Sequence, residues 1–315
     1  MTNFGASTVG QDVVSAYSEQ VSGKTFVITG ASIGGIGAHV AYCLAAAHPA
    51  TVLLLGRNGA KVSPVVEKIQ QISPSTKAQF VKVDLASSGS VRAAAAEVAT
   101  VVTKIDVLVN NAGIMGPKFS LTPESVESQF GANHIGHFLL TNLLMPKLEA
   151  AGTGSRIVNV SSLLYQFSPV RFDDYNFSNG ATFNTWEAYG QSKTANILFS
   201  VALAKKLASK GVRSYSLHPG NIQDTNLSST VDPAEWPIVG AMFGEKNVEM
   251  PKAKTVEQGS ATTLVAALDP KLDCVSGAFL DDCSPAKTLD FASSLENAEK
   301  LWALSEEIVG QKFTY

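Results

Sequence analysis

A short apolar segment, a glycine-rich loop and an alanine-rich segment follow one another near the start of the chain, and this order constrains the fold more than any other feature. Residues 24–30 (KTFVITG) are rich in β-forming side chains, residues 31–37 (ASIGGIG) supply the loop, and residues 38–48 (AHVAYCLAAAH) favour a helix. Glycines let a backbone turn tightly and approach a pyrophosphate, whose charge is met by the first amide groups of the helix. We therefore predict a strand, loop and helix that bind a dinucleotide.

Predicted strands and helices alternate along the rest of the chain. Strands such as 51–56 and 105–109 are short and apolar throughout, which is typical of a parallel sheet covered on both faces. The alternation predicts an α/β, doubly wound Rossmann fold with a seven-stranded parallel sheet flanked by helices. The expected strands are 24–29, 51–56, 78–84, 105–109, 155–161, 212–217 and 277–281, and the expected helices are 35–47, 58–72, 88–103, 122–148, 186–210, 255–268 and 294–309.

Length and composition favour one catalytic domain. No proline- or serine-rich linker divides the 315 residues, and a hydrophobic content of 45% is enough for the buried core of an α/β domain. We expect an N-terminal extension at 1–21 and a single Rossmann-type domain at 22–290, with a lid at about 226–254. A C-terminal helix at 291–315 is expected to pack on that domain.

Charge and cysteine content argue against several classes of protein. Charged residues make up 16% of the chain and the net charge is −3, with no basic stripe, so we expect no nucleic-acid partner. Cys43, Cys274 and Cys283 are too few and too scattered for a disulfide framework, and they indicate a reduced compartment, which we take to be the cytoplasm. The first 20 residues are polar, without the apolar core of a signal peptide. No apolar run approaches the roughly 18–20 residues of a membrane helix, so no membrane span is expected.

Tyr189 and Lys193 are the clearest candidates for catalysis. They lie four residues apart in AYGQSKTANILF, a segment that reads as a helix, so both side chains are expected on one helical face. An ammonium close to a phenol favours the phenolate and lowers the pKa of the tyrosine. A tyrosine tuned in this way can exchange a proton with a carbonyl or alcohol oxygen.

Several motifs, each weak alone, occur in a defined order along the chain. They are TGASIGGIG (29–37), VDL (83–85), NNAG (110–113), Asn133, VNVSS (158–162), YGQSK (189–193) and HPG (218–220). In this order they resemble the short-chain dehydrogenase/reductase family over roughly residues 22–290. The segments NHIGHFLLTNLL (133–144) and AYGQSKTANILF (188–199) are most similar to its retinol-dehydrogenase and WW-domain-oxidoreductase branch, and the C-terminal stretch is similar to fungal members of that branch.

The resemblance implies four catalytic residues. Tyr189 would exchange the proton with the substrate, while Lys193 would lower the tyrosine pKa and hold the nicotinamide ribose. Ser162 would polarise the carbonyl, with Ser161 as the competing choice, and the main chain of Asn133 would hold a water that links the lysine to solvent. The hydride belongs to the nicotinamide.

The end of the second predicted strand bears on the choice of cofactor. A binder of the unphosphorylated dinucleotide usually places an acid there to hold the ribose 2′-hydroxyl, but the chain continues Gly56–Arg57–Asn58. A guanidinium suits a 2′-phosphate, so Arg57 favours NADP(H) over NAD(H), with a solvated loop arginine as the alternative.

The resemblance extends the cofactor site to the other strand ends. Asp84, followed by Leu85, would meet the adenine, and Ile222 would meet the carboxamide. In full, the expected cofactor-binding residues are Gly30, Ser32, Ile33, Gly35, Ile36, Arg57, Asp84, Leu85, Asn111, Ala112, Gly113, Tyr189, Lys193, Pro219, Gly220, Ile222 and Thr225.

Two loops at these strand ends depart from the family pattern. TGASIGGIG is one residue longer than the usual loop. We align Gly35–Ile36–Gly37 with the helix start and place the extra residue at about Ile33–Gly34. PGNIQDT (219–225) is also one residue longer, and Thr225 is taken as the counterpart of the family threonine.

The predicted lid and the segment before Tyr189 bear on the substrate. Ser162 and Tyr189 are 27 residues apart (189 − 162), and the aromatic-rich insert between them is expected beside the active site, where it contributes to substrate choice. The lid carries Trp236, Ile238 and Phe243, which suits a hydrophobic ketone, aldehyde or alcohol, with a fungal secondary metabolite as one candidate. Alternatively, these side chains only pack within the lid or form a subunit contact. The sequence leaves open whether the protein forms a homo-oligomer.

Three rival interpretations are weaker. His134 and His137 could suggest a metal pair, but no third ligand cluster accompanies them, so we expect packing and no metal. The sequence has no Gly-x-Ser-x-Gly elbow in the strand-to-helix setting that a hydrolase of that type needs. A non-catalytic relative that senses the cofactor or binds a partner would commonly lose Tyr189 or Lys193, and both are present. The sequence therefore favours an NADP-dependent oxidoreductase, of carbonyl-reductase type, that interconverts a ketone or aldehyde and an alcohol.

Overall fold

A sheet of eight strands forms the centre of the protein, which we describe from a computed structural model. The structure describes residues 4–223 and 225–315. The strands are β1 (Thr25–Thr29), β2 (Thr51–Gly56), β3 (Lys77–Lys82), β4 (Val107–Asn110), β5 (Arg156–Val160), β6 (Arg213–Leu217), β7 (Asn221–Ile222), β8 (Ala253–Lys254), β9 (Phe279–Asp281) and β10 (Ser284–Ala286). The spatial order in the sheet is β10-β9-β6-β5-β4-β1-β2-β3, and β7 and β8 form a separate pair.

The seven predicted strands are all parallel neighbours, which confirms the Rossmann-type fold. The predicted strand number is one too low, because β10 turns back and pairs with β9 in antiparallel register. Asp282 and Cys283 connect the two strands with positive φ at both positions, the combination that a two-residue type I′ hairpin needs. The extra strand is only three residues long and contains Pro285, so no strand pattern signals it.

Helices flank the sheet, and most begin within two residues of their predicted starts. The predicted helix 122–148 begins only at Ser128, because Leu121 and Glu127 form a β-bridge and the Glu127 carboxylate caps the first amides. Three of the helices listed in the next sentence, α1, α8 and α10, were not predicted from the sequence. The helices are α1 (Gly10–Ala16), α2 (Ile36–Ala45), α3 (Gly59–Ile72), α4 (Ser88–Val101), α5 (Ser128–Phe130), which continues through a π-helical segment (Gly131–Ile135) into α6 (Gly136–Glu149), α7 (Thr185–Lys206), α8 (Glu235–Glu245), α9 (Val256–Leu268), α10 (Asp290–Ser293) and α11 (Leu295–Val309).

Two apolar clusters hold the helices on opposite faces of the sheet. Ile28 of β1 belongs to the cluster that includes Val40 of α2 and Leu264 of α9. The preceding residue, Val27, belongs to the other cluster, with Leu198 of α7. Successive side chains of a strand point to opposite faces, so β1 contributes to both halves of the core. Each such side chain, fully buried, stabilises the fold by about 1.5–3 kcal/mol.

Segments near both ends of the chain join these clusters. Val13 and Val14 of α1 are buried in the first cluster, and at Gly10 the backbone comes so close to α9 that a Cβ would lie 2.2 Å from Ser260 Oγ. Trp302 of α11 packs in the second cluster, with its ring centroid 5.0 Å from that of Phe138 on α6. Among residues 4–223 and 225–315, no helix is both long enough and apolar enough to span a bilayer.

The carboxyl ends of the parallel strands form one edge of the sheet, and the predicted site residues lie along it. The chain reverses its winding between β1 and β4, which are neighbours in the sheet. Ligands of doubly wound sheets bind at such a switch point, outside the carboxyl ends of the strands. Gly30, Asn111, Ser162 and Pro219 all follow strands at this edge.

Candidate active site

Tyr189 and Lys193 lie one turn apart on α7, and each residue is only 3% exposed. The helix begins where it does because the Asn184 side chain accepts hydrogen bonds from the amides of Trp186 and Glu187. The Lys193 ammonium lies 5.4 Å from the centroid of the Tyr189 ring. The structure thus brings together the two side chains on which the catalytic prediction depends.

The Lys193 ammonium is buried, and no carboxylate of the described residues pairs with it. It donates a hydrogen bond to the Val160 carbonyl at 3.1 Å. Burial lowers the pKa of Lys193 to about 8, because the charged form is poorly solvated. A Cβ at Gly113 would lie 3.5 Å from Nζ, so glycine leaves the space beside the ammonium open.

The two candidate serines have different environments. Ser162 hydrogen-bonds the Tyr189 side chain, and its Oγ accepts the amide of Leu164 at 3.2 Å as the cap of a short 3₁₀ helix. Ser161 Oγ instead donates to the Lys193 carbonyl at 2.7 Å, so its hydrogen is committed to α7. Geometry therefore favours Ser162 over Ser161 as the partner of the tyrosine.

The pKa of Tyr189 departs from the sequence-based expectation. Burial raises it above the ordinary value of a phenol, and the hydrogen bond from Ser162 opposes this only in part. The predicted lowering by Lys193 is not seen, because the ammonium is directed to the Val160 carbonyl and not to the phenol oxygen. A phenol in this state is a proton donor at neutral pH.

Asn133 lies in the π-helical segment before α6 and is fully buried. Its side chain accepts the amide of Ile114 at 2.8 Å and donates to the Ile114 carbonyl at 3.0 Å and to Ser192 Oγ at 2.9 Å. The asparagine thereby fixes the loop after β4 against α7. Its main-chain carbonyl, expected to hold a water, accepts a hydrogen bond from His137 Nδ1 at 2.9 Å.

His137 is a residue of the site that the sequence analysis treated only as packing. With Nδ1–H donating to Asn133, Nε2 is left to accept from the Thr29 hydroxyl at 2.8 Å. Thr29 Oγ1 in turn accepts the amides of Asn111 and Ala112, both at 3.0 Å. Burial lowers the pKa of His137 to about 4, so the imidazole is neutral and joins α6 to the ends of β1 and β4. The four-residue spacing between Asn133 and His137 was the sequence signal for this contact, because residues four apart on a helix are neighbours.

The lengthened glycine loop has the geometry of a phosphate site. Gly30 has φ +71° and its Cβ would lie 2.6 Å from Ala112 Cα, while a Cβ at Gly37 would lie 3.0 Å from the Gly30 carbonyl. Gly35 is the N-cap of α2 and has no side chain to cap the first amides, which leaves them for an anion. The inserted position at Gly34 has φ +78°, a conformation that favours glycine.

The polar side chains at the outer strand ends are available for a dinucleotide. Arg57 follows β2, is exposed, and has no hydrogen bond or ion pair within the described part of the chain. Asp84 Oδ1 accepts the amide of Ala86 at 3.0 Å, and Leu85 follows at the same edge. Asn111 Nδ2 donates to the Thr29 carbonyl at 2.8 Å, so its amide is part of the frame between β1 and β4. The residues present therefore fit a dinucleotide.

The segment after β6 leads directly into the predicted lid. Gly220 has φ +107° and its Cβ would lie 2.5 Å from Lys254 Cδ, so the segment that precedes the lid touches the end of the lid. Ile222 lies in β7, which pairs with β8. Thr225 Oγ1 accepts the amide of Leu227, and Asp224, within the lengthened loop, lies outside the described residues. Ser32 and Ile33 lie in the glycine loop across from this segment, with Asn226 Nδ2 3.4 Å from the Ile33 carbonyl.

The predicted lid packs on the loop that follows Ser162 and on the start of α7 through one apolar group, which we call the lid cluster. The predicted insert takes part through its first residues, which follow Ser162, and a Cβ at Gly116 would lie 2.6 Å from Val231, so the lid also lies against the loop after β4. The members of the lid cluster are Phe167, Trp186, Val231, Val239, Met242 and Val248, with Met115, Leu163, Leu164 and Phe243 packed against them.

The family of the chain follows from comparison with known proteins. The sequence matches the short chain dehydrogenase family over residues 24–236. It is 34% identical over 317 residues to short-chain dehydrogenase TIC 32 B, chloroplastic, from Brassica napus, covering 98% of this chain and 95% of that protein. It is 36% identical over 292 residues to retinol dehydrogenase 11 from Homo sapiens, covering 92% and 87%. The chain belongs to the short-chain dehydrogenase family, whose members are oxidoreductases that use NAD(P)(H).

Solved structures show the same fold. An uncharacterized protein from Mycobacterium paratuberculosis matches with a TM-score of 0.72 and 31% identity, covering 93% of this chain and 96% of that one. A short chain dehydrogenase from Escherichia coli CFT073 complexed with NADPH matches with a TM-score of 0.63 and 24% identity, covering 85% and 99%. At that identity the second likeness establishes the fold alone.

Proposed function

We propose that the protein is an NADP(H)-dependent oxidoreductase that interconverts a ketone or aldehyde and an alcohol on a hydrophobic small molecule. One observation carries the proposal: the Tyr189 phenol is buried, hydrogen-bonded to Ser162 and one turn from Lys193, and the apolar lid cluster packs on the segments next to both hydroxyl residues. This arrangement offers two hydroxyls to one carbonyl oxygen and excludes water from it. The alternative is a non-catalytic relative that senses the cofactor or binds a partner, and nothing in the geometry favours it.

Ser162, Tyr189 and Lys193 have different roles in the proposed reduction. Ser162 Oγ already accepts the Leu164 amide, so its hydrogen is directed to Tyr189 or to a substrate oxygen. Tyr189, held protonated by burial, donates the proton to that oxygen as it gains charge. Lys193 is one turn away and balances the phenolate that remains. The bound cofactor supplies the hydride from its nicotinamide.

The preference for NADP(H) rests on Arg57. Its guanidinium is exposed at the end of β2, where an acid would hold a ribose 2′-hydroxyl in an NAD(H) binder. The first turn of α2 and the loop at Asn111–Gly113 hold the rest of the dinucleotide in this proposal. The NADPH complex of the Escherichia coli neighbour is consistent with the preference.

The lid cluster supports a hydrophobic substrate, and the name of the human relative refers to an alcohol of that kind. A fungal secondary metabolite remains our candidate substrate. We also keep the proposed assignment of the chain to the retinol-dehydrogenase and WW-domain-oxidoreductase branch. Cys43, Cys274 and Cys283 are free thiols, which agrees with a reducing compartment, and we propose the cytoplasm. Self-association is left as a hypothesis.

A direct assay tests the proposal. The protein is mixed with NADPH and a panel of hydrophobic ketones and aldehydes, and the loss of NADPH absorbance is followed. Turnover that is lost in Tyr189→Phe supports the assignment. NADPH binding without turnover of any member of a broad panel would move the non-catalytic alternative to the front.

A further inference from the structure

The indole N–H of Trp186 is a buried donor that has no acceptor among the described residues. The residue is only 1% exposed. Buried polar groups are nearly always hydrogen-bonded, and buried tryptophans usually place this N–H on a partner. An exception of this kind next to a reaction centre requires an explanation.

Trp186 lies in the first turn of α7, three residues before Tyr189. Residues three apart on a helix are surface neighbours, so the indole and the catalytic phenol belong to one wall of the site. The ring packs in the lid cluster, together with Leu163, which directly follows Ser162, and with Met242 of the lid. The ring that carries the unpaired donor therefore lies between the Ser162 loop and the lid.

Among the described residues this donor has no hydrogen-bond partner, and the polar side chains at this end of α7 are already committed. Gln129 Oε1 accepts the Gly116 amide at 3.1 Å, and its Nε2 donates to the Thr185 carbonyl at 3.0 Å. Asn184 Oδ1 accepts two amides of the helix start. All other members of the lid cluster have apolar side chains.

We propose that Trp186 Nε1–H binds a second oxygen of the substrate, apart from the carbonyl that reacts. The inference rests on the proposed function and deepens it, because it adds a requirement to the substrate class. The oxygen is neutral, as in an ether, an alcohol or a second carbonyl, because a single neutral N–H donor does not offset the cost of burying a carboxylate. A site with a buried donor discriminates strongly against analogues that lack the matching acceptor.

An oxygen scan tests this inference. The probes are 2-undecanone and its analogues in which one methylene at successive positions is replaced by an ether oxygen, so that only an acceptor is added. Specificity constants are measured with NADPH, and dissociation constants are measured with NADP⁺-loaded protein, in which no reduction occurs. We expect one oxygen position to be preferred over 2-undecanone by about tenfold, the usual scale of one hydrogen bond, in binding as well as in turnover.

Two variants remove the donor and one serves as the matched control. Trp186→Phe, or 3-benzothienylalanine at this position as an isosteric replacement without the N–H, should bring the ratio between the preferred analogue and 2-undecanone close to one. Trp302→Phe changes a buried tryptophan of the second apolar cluster, whose indole N–H donates to Glu306 Oε1 at 2.9 Å, and should keep the ratio. Each ratio compares two ligands on one variant, so a general loss of packing cancels.

The outcomes separate this inference from the proposed function. A flat oxygen profile in the wild-type protein, or a preference that persists without the N–H, overturns the role of Trp186. Absence of turnover with every ketone counts against the oxidoreductase assignment, while the binding ratios with NADP⁺ still decide whether Trp186 recognises an oxygen.

Discussion

The proposed cofactor side and the proposed substrate side of the sheet edge are built in different ways. On the cofactor side, backbone positions are fixed by close glycine contacts and by hydrogen bonds that converge on Thr29 and Asn133. On the substrate side, apolar side chains of the lid cluster lie against one another with few polar ties. The first construction tolerates little change, because backbone and buried polar groups have few alternative partners. The second can be repacked, which suits a family in which the chemistry is shared and the substrate varies.

The proposed catalytic residues lie between the two sides, so Tyr189→Phe should have the largest effect. The variant keeps the buried ring and removes only the hydroxyl bonded to Ser162. We expect kcat to fall by about 10²-fold or more, the usual scale of general acid catalysis, with NADPH affinity within twofold of wild type. Steady-state rates and cofactor titration measure the two quantities. Near-normal turnover would show that the proton comes from another group.

The buried ammonium of Lys193 makes the free energy of unfolding depend on pH. Lys193 loses its proton at about pH 8 in the folded protein but at 10.5 when exposed, so above pH 8 the unfolded chain binds more protons and stability rises with pH. Between pH 8 and pH 9.5 we expect a gain of about 2 kcal/mol relative to Lys193→Met, measured by urea unfolding without cofactor. Lys68→Met, on the exposed face of α3, serves as control and should follow the wild-type pH dependence. An equal pH dependence in wild type and Lys193→Met would mean that the ammonium is solvated.

Arg57→Ala probes the outermost part of the cofactor side. Because the arginine is exposed and unpaired in the described chain, its loss should not disturb the fold. We expect about tenfold weaker binding of NADPH and unchanged binding of NADH, since only the 2′-phosphate would pair with the guanidinium. Equal affinities of the wild-type protein for the two cofactors would contradict the NADP(H) preference.

The smallest effect is expected on the substrate side. Met242→Ala removes a buried lid side chain and should shift the specificity ratio between a large and a small ketone by about three- to fivefold, less than in a rigid pocket because the lid can adjust. The affinity for NADPH should stay unchanged. Met250→Ala, at a position 59% exposed, is the matched control. A change in NADPH affinity without a change in the ratio would place Met242 in the cofactor frame.

Deletion within the insert is a poorer test of the same idea. The segment after Phe167 is hydrogen-bonded to α7, because Gln191 Oε1 accepts the Arg171 amide at 2.9 Å and Thr194 Oγ1 donates to the Ser168 carbonyl at 2.7 Å. Shortening 166–180 would therefore disturb the helix that carries Tyr189. Lid side chains can be changed without that cost.

Local features of the sequence predicted most of the fold. Short apolar strands, the caps of α3 and α4 and the glycine loop act within a few residues, so each element could be placed before its neighbours were known. The sequence did not predict α1 or α8, because neither has a clear start signal and α1 is stabilised by packing on α9. Likewise, β10 exists because β9 offers it an open edge.

For the site, the sequence by itself determined the family, the Rossmann fold and the candidate residues Tyr189, Lys193, Ser162 and Asn133, because these depend on residue types at set spacings. Only the tertiary structure decided how their environments act: Ser162 contacts the phenol and Ser161 does not, and burial raises the Tyr189 pKa where spacing alone suggested a decrease. Solvation and hydrogen-bond partners come from segments far apart in the chain. No local pattern encodes which buried donor, such as Trp186 Nε1–H, is left without a partner.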